Sequence, residues 1–378
     1  MRRLVVVSHV HVARDGEAWL AKNRIADVIE RLAELGWEVT LIARERSADA
    51  FLTQRLPDHI DVVPLCPPNQ KLGGWLRARR ALRDADAVLA FMPSLLGAMA
   101  GAIYGRRVLL YAGSAWSRMP EMPRWRHRAE EFSARRAAGL IGAGDAIVRR
   151  FSPHAREAAL CVPLVAEEVA RRLRDATARP NVESDLPWRP RLLFVGGLEP
   201  GKGAAELAAA LERLPEFACR VVGSTGSPPF GPELERRLST LPNVVVSGYQ
   251  DWDGLREAYQ WADVLVLPSY SEGFPRVVYE ATAFGLACVV TPVGGIPARL
   301  RHGQSALFVE VGDVDSLVRA LERVAGDFTL RTTLPLQARE ALAPAFADLD
   351  PALQFDRALR RIAGGREQFS KVLAAEAV

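Results

Sequence analysis

The stretch Pro268-Ser269-Tyr270-Ser271-Glu272-Gly273-Phe274-Pro275-Arg276-Val277-Val278-Tyr279-Glu280-Ala281 follows an apolar run at 263–267. Together the two read as strand, loop and helix. Ser271 and Gly273 favour the loop, Pro275 suits a first helical turn where an N–H is not needed, and the apolar residues beyond it suit a buried helix. The same alternation extends in both directions. Upstream, strands are expected at 191–195, 218–222 and 244–247, with a helix at 204–214. Downstream, strands are expected at 287–291 and 306–309. Apolar runs of strand length alternating with helical patterns indicate a parallel α/β sheet.

The first half repeats the plan. Strands are expected at 4–8, 38–43, 60–64, 87–92, 108–111 and 139–142, with a helix at 22–35 ended by Gly36 and a loop containing Asp15-Gly16. Residues 87–105 carry no charge and reach the length of a membrane span. Pro93-Ser94 in the middle divides the run into a buried strand and a small-residue helix at 95–104. The polar stretch 171–189, with Pro180-Asn181 and Pro187-Trp188, reads as a connector. The expected organisation is therefore a Rossmann-like domain at 1–170, a linker at 171–189 and a second Rossmann-like domain at 190–351. Two doubly wound sheets of this kind would face a cleft at their carboxyl ends, where α/β proteins bind ligands.

Composition agrees with a globular protein. The chain has 378 residues, 49% of them hydrophobic, and its 25 prolines and 29 glycines show no fixed period. Disordered, collagen-like and repeat readings fail on those figures. Cys66, Cys161, Cys219 and Cys288 are too dispersed for a zinc ribbon and suit a reducing compartment. The opening residues are too short an apolar run for a signal peptide, so a cytoplasmic location is expected. The formal net charge of +4 is uneven: residues 1–165 hold 25 Lys/Arg against 17 Asp/Glu, a net of +8, which leaves −4 for the rest. Residues 71–156 concentrate the excess, with 16 basic and 6 acidic groups. Such a face suits an anionic membrane surface or glycan, or is simply a solvated helix surface. No nucleic-acid motif accompanies it, so a nucleic-acid partner is not expected.

Two segments carry candidate chemistry. Phe194-Val195-Gly196-Gly197-Leu198-Glu199-Pro200-Gly201-Lys202-Gly203 is a glycine-rich turn between strand and helix. Its amides can approach an anion and Lys202 adds a full charge, which suits a phosphate. Gly196, Gly201 and Lys202 match the start of a P-loop, but Gly203 stands where that motif needs Ser or Thr for magnesium. A tight turn with a surface lysine is the bland alternative. In the second segment, Glu272 precedes a helix that contains Glu280. At 1.5 Å per residue they lie roughly 12 Å apart along the axis, too far to act as a hydrolytic pair on one glycosidic bond. The spacing suits a ligand with two hydroxylated ends and a charged middle, such as a nucleotide sugar, its diphosphate held at the helix start. The competing reading is a capping carboxylate and an unrelated helical glutamate.

The second half resembles the donor-binding domain of retaining glycosyltransferases of the GT-B fold, family 4 (glycosyl transferases group 1). The resemblance runs through the turn at 194–203, Val246-Ser247-Gly248-Tyr249, Tyr259-Gln260-Trp261-Ala262-Asp263-Val264, the Glu-x7-Glu pair, Gly285-Leu286-Ala287-Cys288-Val289-Val290, Val293-Gly294-Gly295-Ile296-Pro297 and Val311-Gly312-Asp313. It implies a metal-independent, retaining transfer of a sugar from a nucleoside diphosphate sugar, a UDP- or GDP-sugar, to a hydroxyl acceptor, with no further cofactor. By resemblance, Glu280 binds the ribose, Glu272 the donor sugar, Lys202 the diphosphate, and Tyr249 sits near the base. Gly196, Gly197, Gly273, Phe274, Pro275, Arg276 and Val277 line the same site. Lys202 and Glu272 are the expected catalytic groups, and no metal ligand is implied. The final helix, within 352–378, is expected to cross back to the first domain, which supplies the acceptor side. A peripheral position on the inner face of a membrane fits the basic region.

The chain departs from the family pattern in the phosphate turn, where Gly196-Gly197 replaces the common Gly-Arg. It also has Ala112-Gly113-Ser114 where a histidine often stands, and Pro163-Leu164-Val165 for the usual Pro-Asn-Gly. His9 and His11 follow the first strand and are candidates for the acceptor side or for structural hydrogen bonds. A sugar-nucleotide epimerase, a degenerate sugar-nucleotide binder and, more remotely, a P-loop NTPase are the alternative readings.

Overall fold

A computed structural model describes residues 1–8, 11–21, 23–46, 54–65, 72–92, 94–113, 123–160, 165, 167–174, 190–346 and 351–364. The chain forms two compact units, one of residues 1–164 with 348–378, the other of residues 165–347. The sequence reading set the divisions a few residues later, at 170/171 and 351/352. His9, Ser114, Cys66, Cys161 and residues 365–378 lie outside the described residues.

In the first unit, β1 (Arg2–Val7), β4 (Trp37–Arg44), β6 (Asp61–Leu65), β7 (Ala87–Met92), β8 (Val108–Ala112), β9 (Gly139–Gly142) and β10 (Ala158–Leu160) form one sheet. Its order is β10-β9-β8-β7-β1-β4-β6 and the pairings are parallel, with Val5 opposite Thr40 and Val88. The strands are continuous apolar runs because helices cover both faces. One face packs on helix Asn23–Glu34 and on the returning helix Pro351–Ala363, which buries Phe355, Ala358 and Leu359. The buried indole of Trp37 donates to Asp356 Oδ1 at 2.7 Å, and Gln354 Nε2 donates to the Leu160 carbonyl at 2.8 Å. The expected return of the last helix is thus observed. The other face carries helices Leu72–Asp84, Leu95–Tyr104, Arg124–Arg136 and Asp145–Phe151.

The expected loop at Asp15-Gly16 is instead a hairpin. Strand β2 (Ala13–Asp15) pairs antiparallel with β3 (Ala18–Ala21), which also pairs with β5 (Gln54–Arg55). Gly16, at φ +60°, makes the two-residue turn possible. β2 and β5 are short and polar, and the apolar β3, Ala18-Trp19-Leu20-Ala21, is only four residues long, so none shows the longer apolar run of the central strands.

The second unit holds β11 (Arg191–Val195), β12 (Ala218–Val222), β13 (Val244–Val246), β14 (Val264–Leu267), β15 (Ala287–Val290) and β16 (Leu307–Phe308). Their order is β13-β12-β11-β14-β15-β16, parallel throughout. A helix, Glu167–Arg174, straddles the expected boundary between the first domain and the linker at 171–189, and its Val169, Ala170 and Leu173 are buried. It packs on helix Arg276–Ala283 and so belongs to this unit. Cys219 and Cys288 are free and buried, and burial pushes both thiols up to about 12.

Candidate functional site

All six strands of the second sheet end at one edge. Strand β11 stands between β12 and β14, so the strand order reverses between β11 and β14. In doubly wound sheets the loops at such a reversal are where ligands bind. The loops are 196–203 and 268–275, the two segments singled out by sequence.

The glycine-rich turn is held by its own backbone. Gly196 N–H donates to the Val222 carbonyl and Leu198 N–H to the Ser224 carbonyl, each at 2.9 Å. The Gly196 amide is therefore committed to the sheet, and this glycine contributes close approach rather than a free donor. Residues Pro200–Lys202 form one 3-10 turn, and Gly203 caps the following helix Ala204–Arg213 at φ +69°. A Cβ on Gly203 would lie 2.0 Å from the Pro268 carbonyl oxygen. Position 203 thus has no room for the Ser or Thr of a P-loop, and the triphosphatase reading fails on packing as well as on sequence.

Lys202 and Glu272, 70 residues apart, meet directly. Lys202 Nζ lies 2.8 Å from Glu272 Oε1, and the Ser269 hydroxyl donates to the same oxygen at 2.8 Å. The lysine side chain is 33% exposed and the glutamate 10%. Behind them, Thr291 Oγ1 donates to the Ser269 carbonyl at 2.5 Å, and Tyr270 N–H donates to the Gly201 carbonyl at 3.0 Å, tying one loop to the other. Gly295 N–H donates to the Gly273 carbonyl at 2.6 Å. Gly294, at φ +63°, has the Glu272 carbonyl oxygen where its Cβ would be, 2.1 Å away. Glu272 is thus fixed by a cation, a hydroxyl and a backbone clamp, with the lysine on its solvent side.

Helix Arg276–Ala283 starts directly after this loop, capped by Pro275 at φ −72°. The amides of Arg276 and Val277 precede the first helical hydrogen bond and belong to the positive end of the helix dipole. Phe274 and Pro275 are buried, and Phe274 packs on Tyr279 with ring centroids 4.6 Å apart. Arg276 is exposed and Val277 half-buried. Tyr249 is half-buried in the loop after β13, next to Gly248, whose carbonyl accepts from Gly223 N–H at 2.8 Å. Gly197 is half-buried beside Ser224, whose hydroxyl lies 3.0 Å from where a Cβ would be.

Glu280 is 1% exposed, and its Oε2 accepts a hydrogen bond of 2.7 Å from the fully buried Tyr259 hydroxyl. Tyr259 stacks on Phe284 at 5.5 Å, and the Arg172 guanidinium covers Phe284 at 4.3 Å. Sequence reasoning assigned no role to Tyr259, Ser269, Thr291 or Arg172. Tyr259 lay inside a quoted motif, whereas nothing local to Arg172 separated it from a linker. Among the described residues no group of His, Cys, Asp and Glu is arranged to hold a metal ion.

Residues 189–327 match the glycosyl transferases group 1 family. Over 172 residues the chain is 30% identical to sulfoquinovosyl transferase SQD2 of Arabidopsis thaliana, covering 45% of this chain and 33% of that protein. The alignment thus spans only about a third of that relative. A D-inositol 3-phosphate glycosyltransferase of Nocardiopsis dassonvillei is 28% identical over 87% of this chain and 86% of its own. Among solved structures, sucrose-phosphate synthase of Thermosynechococcus elongatus superposes with a TM-score of 0.73 at 21% identity, covering 97% of this chain and 100% of its own. Anabaena HepE in complex with UDP-glucose gives 0.71 at 16% identity, covering 97% and 100%. The architecture, two Rossmann-like units, is that of GT-B glycosyltransferases.

Proposed function

We propose that the protein is a retaining, metal-independent glycosyltransferase that moves a sugar from a nucleoside diphosphate sugar to a hydroxyl acceptor. The observation that carries this reading is the Lys202–Glu272 pair at the switch point of the segment that matches the group 1 family, beside the amino end of helix Arg276–Ala283. In the reaction the bond from the anomeric carbon to the diphosphate breaks, and charge gathers on the bridging oxygen. Lys202 and the first amides of the helix supply fixed positive charge there without rearranging, which lowers the barrier. The acceptor oxygen attacks on the face the diphosphate leaves, and its proton passes to a phosphate oxygen, so no protein base is needed.

Glu272 positions the donor sugar, its second oxygen serving sugar hydroxyls. Glu280 takes the ribose and Tyr249 lies by the base. Gly197, Gly273, Phe274, Pro275, Arg276 and Val277 border the diphosphate. A UDP-sugar is the first donor to test, because HepE has been captured with UDP-glucose and with UDP. Buried free thiols suit a reducing cytoplasm.

A thermal-shift panel of UDP- and GDP-sugars tests the reading. A donor at about 100 times its Kd adds about 2.7 kcal/mol of stability. The expected result is a shift with one nucleotide series, and transfer that survives EDTA and keeps the donor's anomeric configuration by NMR. No shift with any sugar nucleotide overturns it. An epimer formed from donor alone moves the assignment to an epimerase.

A further inference from the structure

The first unit exposes apolar side chains where a globular surface ordinarily would not. Of the 13 large apolar residues exposed among the described residues, seven lie on three consecutive helices of one layer. These are Trp75 and Leu76 on helix Leu72–Asp84, then Leu95, Met99 and Ile103 on helix Leu95–Tyr104, then Trp125 and Phe132 on helix Arg124–Arg136. The spacing is regular. Leu95, Met99 and Ile103 recur every four residues and Trp125 and Phe132 are seven apart, so each set forms one stripe on its helix. The last two helices pack directly on one another: a Cβ on Gly101 would lie 2.0 Å from Ser133 Oγ. Helix Leu72–Asp84 shares their buried core through Ala78.

Arginines flank these stripes. Arg79, Arg80, Arg83, Arg106, Arg124, Arg128, Arg135 and Arg136 are all exposed on the three helices or the turn between them. The carboxylates of the layer are largely engaged: Asp84 faces Arg80 and Arg83, and Glu131 pairs with Arg150 at 2.6 Å. Arg136 lies over the Phe132 ring at 5.9 Å. Exposed apolar wedges set among guanidinium groups that outnumber the nearby carboxylates, 16 basic against 6 acidic groups over residues 71–156, complement a surface that is anionic outside and apolar just beneath. A second copy of this chain would bring like charges together. No helix among the described residues is long and apolar enough to cross a membrane, so the contact is with its surface.

We propose that this helical layer docks on an anionic lipid bilayer, with Met99, Ile103, Trp125 and Phe132 entering the interface and the surrounding arginines meeting lipid phosphates. The proposal does not depend on the transfer reaction. It is tested by co-sedimentation of the full chain with vesicles of phosphatidylcholine alone or of phosphatidylcholine with roughly one-third phosphatidylglycerol, whose negative surface potential attracts clustered basic residues. Anionic vesicles should bind the protein and neutral ones at least ~10-fold more weakly. Arg124→Glu with Arg128→Glu should abolish the salt-sensitive part, and Met99→Glu with Ile103→Glu should weaken binding at every salt concentration. Phe328→Glu, an exposed apolar residue of the second unit, should change nothing. All these positions are exposed, so an unchanged circular dichroism melt separates lost binding from lost folding. Absence of binding at low salt, equal binding to neutral vesicles, or insensitivity to both double variants overturns the proposal. So does a concentration-dependent dimer that Ile103→Glu dissolves, which would assign the face to a second copy.

Discussion

Lys202, Glu272 and Glu280 are held by different means, so their substitution should have different consequences. Lys202 sits on the solvent side of its pair and contributes little to folding, because a partly exposed ion pair is weak. Lys202→Ala should lower transfer about 100-fold or more with little change in melting temperature, read by steady-state kinetics beside a thermal melt. With Gly197 where an arginine is common, the turn has no second cation at that position, which raises the demand on Lys202. Glu280 is the reverse case, a buried carboxylate whose oxygen depends on the Tyr259 hydroxyl. Tyr259→Phe should cost about 1–3 kcal/mol of stability, measured by urea denaturation, since a buried acceptor loses its donor. If Glu280 also holds the ribose, Glu280→Ala should weaken donor binding by about 1.5–3 kcal/mol in calorimetry while a free sugar is unaffected. Equal affinities would remove the ribose assignment.

At the scale of elements, the site is two loops braced by glycines that have no substitute. Gly203 and Gly294 combine left-handed φ values of +69° and +63° with backbone oxygens 2.0 and 2.1 Å from an added Cβ. The left-handed conformation alone costs a non-glycine residue about 1–3 kcal/mol, and the overlap adds to it. Gly203→Ala should therefore lower the denaturation midpoint markedly. Gly201→Ala, in the same turn but with no atom within 4 Å of its Cβ and no positive φ, should be neutral or slightly stabilising. The contrast isolates the packing of the turn against Pro268 from its flexibility. The helix Glu167–Arg174 has a comparable bracing role, since Arg172 covers the ring that stacks on Tyr259.

At the scale of the whole molecule, stability should fall in acid. Asp84, Glu131, Glu212 and Asp315 are all held below the ordinary carboxylate values of 3.8 and 4.5, in each case first by a hydrogen bond from an arginine. A depressed carboxylate binds protons more weakly folded than unfolded. Its contribution is therefore complete above the unfolded value and lost as pH falls through the lower, folded one. The melting temperature should thus decline below about pH 4.5, and Glu131→Gln should flatten the decline by removing the pair with Arg150. A melting temperature that rises over that range would contradict the assignment.

Much of this molecule was legible before folding. Buried parallel strands are unbroken apolar runs, so β7 and β11 appear in the sequence with their observed ends, and Pro275 marks the helix start by its missing amide. The Glu-x7-Glu spacing and the glycine turn marked the candidate site, because each gathers glycine with charged residues in a loop that directly follows an apolar strand. What only the tertiary structure decided are the pairings across long separations. Lys202 meets Glu272, Tyr259 meets Glu280, β3 pairs with β5, and Arg172 joins the second unit rather than a linker. The apolar helix stripes likewise became a single surface only when Gly101 allowed one helix to close on Ser133 of the next. Local pattern reflects what each residue must be buried from or exposed to, whereas a partner is chosen by the packing of segments that share no local signal.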